Sequence, residues 1–344
     1  MSADDFILDA STRHQIYVQR FAGGQVKEML GYLRDLIFQI EIKLAQAETL
    51  SQAQKLTVNL REVREILEEG LQAASTNLLA NVEDLAEYEG EFAVKTLNAA
   101  ATVDAKLPES PILRAIVSQS PMTLLGATDA PQSLTARQAV ETYSRKKSTE
   151  LLRVIQNGYI NGDPVGDISR SVRSLVKRQT RQADALVRTV TNHISAEARS
   201  VTHRENSDVV IGEEFVATLD DRTTIGCAAL DGKVFGFNEP PQVPRHWNCR
   251  SVRVAKLNPK YAQPGETGVR SSQFGPVSPK TTYSSWFKKQ PKSFQEKVLG
   301  KERAELYRNG GLNIDKFTDD LGVTYSLDEL KRLEPEAFEI AGIG

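Results

Sequence analysis

The stretch VKEMLGYLRDLIFQIEIKL, residues 26 to 44, decides the fold class of this chain. Val26, Met29, Leu30, Leu33, Ile37, Ile40 and Leu44 recur at steps of three and four, with Lys27, Glu28, Arg34, Asp35, Glu41 and Lys43 on the other faces. This is the period of an amphipathic helix with one apolar stripe, and it predicts a helix from about Ala22. Beyond it, Ser51 and Gln54 have the form of a capping box, and Leu56, Leu60, Val63, Leu67, Leu71, Ala74 and Leu78 mark a second stripe. A third helical stretch carries Leu79, Val82, Leu85, Phe92, Val94 and Leu97. Heptads are not sustained across the Leu50-Ser51 break, so a helical hairpin or bundle is expected and not a long coiled coil.

Downstream, Pro108, Pro111, Pro121, Gly126 and Pro131 punctuate residues 108–133, which read as a Pro-rich connector anchored by apolar residues at 112–117 and 122–125. Helices resume near Ser133 or Thr135, with Ala139, Tyr143, Leu151, Leu152 and Ile155 as apolar positions, and pause at the Gly162-Asp163-Pro164 turn. Two more are expected, one from Val165 and one over about 182–205. After Asn206 the β-formers Val209, Val210 and Ile211, then Phe215 to Leu219, begin short strands that run to about Lys256. Residues 257–283 read as a loop and 284–344 as a helical tail, with Ser326 capping a helix that has Asp328 and Glu329 in its first turn. The expected architecture is mainly α with a small α+β module: an N-terminal helical region at 1–107, the connector, a central unit at 134–256, the loop and the tail.

Hydrophobic residues at 40% and charged residues at 26% fit a globular chain, and a formal net charge of -2 gives no bulk attraction to nucleic acid or acidic membranes. Charge is uneven, however. Eleven Lys and Arg stand against five Asp and Glu over residues 137–188. Within that stretch Arg145, Lys146, Lys147, Arg170, Arg173, Lys177, Arg178 and Arg181 are the residues that would face DNA, although solvated helix faces account for such a run more simply. The first thirteen residues carry no apolar run of a secretory signal, and no segment has the uninterrupted apolar length of a membrane helix. Two cysteines in the chain fit synthesis in a reducing compartment such as the cytoplasm.

The chemistry-bearing residues concentrate between Thr218 and Arg253. Cys227, His246 and Cys249 lie there, and a His-x-x-Cys step lets two ligands converge on one soft cation, with Cys227 as a third. A structural zinc wants four ligands, so three readings stand: a reduced pair packed in a small β-core, a disulfide, or a zinc site. No cofactor is otherwise expected. Asp220, Asp221 and Arg222, with Arg245 and Arg250, form a second cluster, read as an Asp-Arg clasp pinning a loop in preference to catalytic carboxylates. No catalytic residue is assigned: there is no nucleophile elbow, phosphate loop or dinucleotide glycine pattern.

At these residues the sequence resembles the phage Mu F-like minor head family, also described as phage head-morphogenesis proteins. The matching positions are Arg188-Thr189, Asp220 or Asp221 with Arg222-Thr223, Cys227, Leu230-Asp231-Gly232, Pro244, His246, Cys249-Arg250, and a tail of Trp286, Gln290, Gln295, Leu299-Gly300 and Arg303. Thr224 and Ser251 stand where the family often has further cysteines, and this paired departure points away from zinc. The resemblance implies a virion protein, present in few copies inside the capsid near the portal, serving head assembly and sometimes leaving with the DNA. Implied partners are the portal protein, the major capsid protein, packaged double-stranded DNA and further copies of the chain, with no membrane. The family's module is also similar in fold to ADP-ribosyltransferase domains. An enzyme of that kind, or a zinc-dependent one on the Cys/His/Asp cluster, is the alternative, but the nearest Glu-x-Glu, Glu87-Tyr88-Glu89, falls in a helix.

Overall fold

The computed structural model describes residues 2–125, 132–261 and 268–343, so Gly126 and Pro131 of the connector and residues 262–267 of the loop lie outside the described residues. Four long helices form the frame: α1 (Ala3–Gln46), α2 (Leu60–Ala101), α4 (Ala136–Asn161) and α5 (Val165–Glu205), with the shorter α3 (Ser110–Gln119) packed across them. The fold is mainly α with a small β module, as the periodicity implies.

Helix α1 begins at Ala3, some twenty residues before the expected start, with Ser2 as its N-cap accepting from the Asp5 amide. The apolar stripe is continued there by buried Ser11, His14 and Gln15, polar residues that a hydrophobic period does not register. Ser51 and Gln54 form the expected capping box, and a π-helical segment (Lys55–Asn59) leads into α2. Asn59 is buried at this irregular turn, donating to the Lys43 carbonyl at 2.9 Å and accepting from the Tyr159 hydroxyl at 2.6 Å. The two stripes expected on either side of Leu78 belong to one continuous α2. Gly70 does not interrupt it and lets α1 pack close, since a Cβ there would come within 2.9 Å of Leu36.

The connector is more regular than its prolines imply. Glu109 opens α3 with Pro111 in the first turn, where the missing amide costs nothing, and Leu113, Ile116 and Val117 are buried. Strands β1 (Pro121–Leu124) and β2 (Gln132–Thr135) pair antiparallel and deliver the chain to a Thr135-Gln138 capping box that starts α4. Gly162, at φ +71, ends α4 at the expected turn. The two helices expected after it are one, α5, because nothing between Val176 and Ala183 breaks it, and the buried Gln179 donates from Nε2 to Glu150 on α4 at 2.7 Å. A single apolar core runs through these helices from Val26 to Ala198.

The β module is a three-stranded antiparallel sheet in the order β4 (Val234–Phe235), β3 (Val210–Val216), β5 (Val252–Leu257). Its inner face packs on the first turns of α1 and the end of α2 through Ile7, Leu8, Leu97, Val216 and Val254. Asp4 accepts from the Leu257 amide at 3.1 Å and pairs with Lys256 at 2.6 Å, which stitches the start of the chain to β5. Residues 225–230, expected as strand and turn, form a short helix, α6 (Ile225–Leu230), capped by Thr224. A hairpin of β6 (Arg270–Ser272) and β7 (Gly275–Val277) occupies part of the expected loop. The tail helices α7 (Tyr283–Phe287), α8 (Lys292–Leu299), α9 (Lys301–Arg308), α10 (Leu327–Leu333) and α11 (Pro335–Ala341) close on α6 around an aromatic core of Tyr283, Trp286, Phe287, Phe294 and Phe317. No described helix is long and apolar enough to cross a membrane.

Candidate functional site: a Cys-His knot at the mouth of a cleft

Thr224 caps α6 and so places Cys227 in its first turn, facing the loop that carries His246 and Cys249. That loop is drawn tight: Cys249 donates its amide to the His246 carbonyl at 3.1 Å, and Asn248 takes a left-handed conformation at φ 62. Asparagine tolerates this region because its short polar side chain can hydrogen-bond the local backbone. The result brings the two sulfurs to 4.0 Å, unbridged, with His246 Nε2 at 3.5 Å from Cys227 Sγ. Both cysteines are buried in a small cluster with Phe215, Ala217, Leu230 and Val243.

His246 donates from Nδ1 to the Trp247 carbonyl at 2.9 Å. A carbonyl only accepts, so the proton sits on Nδ1, and Nε2 presents its lone pair to Cys227 and to the Thr224 hydroxyl at 3.2 Å. Hydrogen bonding from Cys249 holds the Cys227 thiol below its usual range, at about 7, while that bond to Cys227 and burial push Cys249 up.

Asp220 forms the expected clasp with Arg250, whose Nη2 donates to Oδ1 at 2.8 Å while Nη1 reaches Oδ2. The Arg222 amide and the Thr223 hydroxyl also donate to it, each at 3.1 Å. Burial raises the Asp220 pKa, but these donors, Arg250 foremost, outweigh it and hold the carboxyl below its ordinary value. Asp221 turns the other way and pairs with Lys297 of α8, and the Arg222 side chain is exposed. The carboxylates are thus anchored apart and do not share a site.

Sequence reading missed three buried ion-pair networks that frame this knot. Arg270, in the loop region, grips Asp231 behind α6, and Asp231 also accepts from the Ala217 and Tyr283 amides, each at 2.6 Å. Glu213 on β3 lies 2.7 Å from His203 Nδ1 and 3.1 Å from Arg253 Nε. Glu89, from the helical Glu-x-Glu, is fully buried between His14 at 2.7 Å and Ser195 at 2.9 Å, with Arg199 at 3.4 Å. Their signal was weak because each joins residues far apart in sequence, and two histidines that looked scattered are half of two networks.

A cleft of about 820 Å³ opens beside the knot, between α1, α5 and the sheet. Thr224, His246 and Trp247 line one wall, and Arg188, Arg222 and Arg250 line it too, with Arg188 held by Asp184 at 3.0 Å. The arrangement offers nitrogen and sulfur donors to a soft cation and a basic wall to an anion. Farther along α5, Arg170, Arg173, Lys177 and Arg181 share one exposed face at helical spacing, Arg178 is exposed beside it, and Arg145 and Lys146 are exposed on α4. Arg173 pairs with Glu41 at 2.6 Å and Arg170 pairs with Asp167. Lys147 is the correction in this set: it is buried, donating to Glu150 at 3.0 Å and to Gln182, and cannot reach a phosphate.

Residues 149–254 match the family described as Phage Mu protein F like protein. The matched stretch starts inside α4, contains α5, the sheet and the whole Cys-His knot, and ends in β5. Over that stretch the chain is similar to the Mu F-like family, in keeping with the motif resemblance. No curated protein and no solved structure matches the chain. The tail positions Trp286, Gln290, Gln295, Leu299, Gly300 and Arg303 lie beyond the matched residues; Trp286, Gln295 and Leu299 are buried in or beside the aromatic core.

Proposed function

We infer that this chain is a minor structural protein of a tailed-phage head, held inside the capsid near the portal and supporting head assembly. The observation that carries this reading is where the family match falls: on α5, the pillar of the helical core, and on the knot that ends it. The buried carboxylates Glu89, Glu213, Asp220 and Asp231 all serve as anchors for arginine or histidine, which supports an architectural role over catalysis. Portal protein, major capsid protein and further copies of this chain are the partners this reading assigns. The N-terminal helices, outside the matched stretch, offer the contact surface, with Phe38 and Ile42 exposed one turn apart on α1.

The exposed basic face of α5 favours a second role, contact with packaged double-stranded DNA and exit with it. Quantitative mass spectrometry of full virions and of heads emptied of DNA tests both. Low copy number in full particles with retention in empty heads fits a fixed component beside the portal. Loss from empty heads fits an ejected protein, and absence from both overturns the structural reading.

A further inference from the structure

We propose that Cys227, His246 and Cys249 are three ligands of a zinc ion whose fourth position opens on the cleft at Thr224. This inference stands apart from the virion reading and does not depend on it. Its first support is spacing. A tetrahedral zinc with its usual bond lengths sets two thiolate sulfurs about 3.8 Å apart and a sulfur and an imidazole nitrogen about 3.6 Å apart. The observed separations are 4.0 Å between the sulfurs and 3.5 Å from Cys227 Sγ to His246 Nε2, and all three donor atoms lie within 4.8 Å of one another.

The second support is independent of those distances. Metal-binding histidines are oriented by a hydrogen bond from their other ring nitrogen, often to a backbone carbonyl. His246 makes that bond, Nδ1 to the Trp247 carbonyl, and it leaves the free lone pair aimed at the sulfurs. Third, the donors come from two rigid pieces, the first turn of α6 and the His246–Cys249 turn, so binding needs no rearrangement of the backbone. Two thiolates and a neutral imidazole balance the charge of a divalent zinc. The ion would tie α6 to a loop 22 residues away in sequence, the separation of its two cysteines.

The fourth vertex sets this site apart from a closed structural one. Thr224 Oγ1 is a neighbouring hydroxyl on that side, 3.2 Å from His246 Nε2, and Thr224 and His246 both line the cleft. A hydroxyl is a poor fourth ligand for zinc, so water or an anion entering past Arg188, Arg222 and Arg250 completes the shell.

The full chain, made in zinc-supplemented cells without a metal-affinity tag, is to be assayed for zinc by mass spectrometry and for free thiols after denaturation. About one zinc per chain, lost in Cys249→Ser and in His246→Ala, is expected. A zinc-free chain that stays zinc-free after incubation with zinc and dialysis overturns the proposal, whether its thiols prove free or bridged. Should either variant fail to fold, cobalt exchanged into the unaltered protein decides: intense tetrahedral bands with thiolate charge transfer support the site, and a weak octahedral spectrum removes it. Thr224→Cys supplies a thiolate at the open vertex and is expected to slow metal loss to a chelator. Unchanged loss would overturn the placement of that vertex.

Discussion

Arg270 grips Asp231 with both terminal nitrogens, Nη1 to Oδ2 at 3.0 Å and Nη2 to Oδ1 at 2.6 Å, in a pocket that leaves the two side chains 2% and 0% exposed. Removing one partner of so buried a pair strands the other charge away from water. Asp231→Ala is therefore expected to cost about 3–5 kcal/mol in chemical denaturation. Replacing both residues with apolar ones of similar size is expected to recover much of that loss, because no charge is then left alone. A double variant as unstable as the single one would show that Asp231 acts only through the Ala217 and Tyr283 amides.

Gly226 in α6 meets Gly322 of the tail backbone to backbone: a Cβ on Gly226 would lie 2.1 Å from the Gly322 carbonyl oxygen. Backbone cannot step aside as a side chain can. Gly226→Ala is expected to loosen the tail at a cost of about 1–3 kcal/mol, read as faster proteolysis after residue 283. Gly23, which has nothing within 4 Å of its would-be Cβ inside α1, is the contrast. Gly23→Ala is expected to stabilise the chain by about 0.4–1 kcal/mol.

If the basic face of α5 contacts DNA, Lys177→Ala and Arg181→Ala should each lower the slope of log affinity against log salt by about 0.9. Lys147→Met should leave that slope unchanged while reducing thermal stability, since Lys147 is buried against Glu150. Equal slope changes for all three would contradict the burial of Lys147.

His193 lies buried in α5, donating from Nε2 to the Ser120 carbonyl at 2.9 Å, and burial holds its pKa below the usual histidine value. The unfolded chain then binds a proton that the folded one refuses, so stability is full above the unfolded pKa of about 6.5 and falls as pH drops below it. The fall levels off beneath the lowered folded value. Denaturation midpoints at several pH values between 7.5 and 5 should show this slope in the unaltered chain and a shallower one in His193→Gln.

Much of the helical frame was legible. The stripe from Val26 to Leu44, the caps at Ser51, Thr135 and Ser326, and the Gly162 turn are local signals, and local signals survive in a single sequence. The start of α1 was not, because buried Ser11, His14 and Gln15 are polar, and the partners of His14 and Gln15, Glu89 and Asn192, lie far away on α2 and α5. Nor was α6, whose six residues are too few to display a period. In the site, the His-x-x-Cys step and the Asp220-Arg250 pairing were visible as neighbours in a short segment. Asp231 was noticed only as part of a motif, since Arg270 stands 39 residues away in a stretch rich in Pro, Gly and Ser.

Asp4 holds the Leu257 amide and Lys256, partners that lie 253 and 252 residues farther along the chain. A ribosome adding about 5–20 residues per second leaves the first helix waiting roughly ten to fifty seconds before strand β5 exists. During that interval Ile7 and Leu8 face water or whatever chaperone is at hand, and the helices can settle only among themselves. The sheet is the clasp that closes last, so a nonsense mutation or a stalled message short of residue 257 would release a chain whose opening turns have nothing to hold.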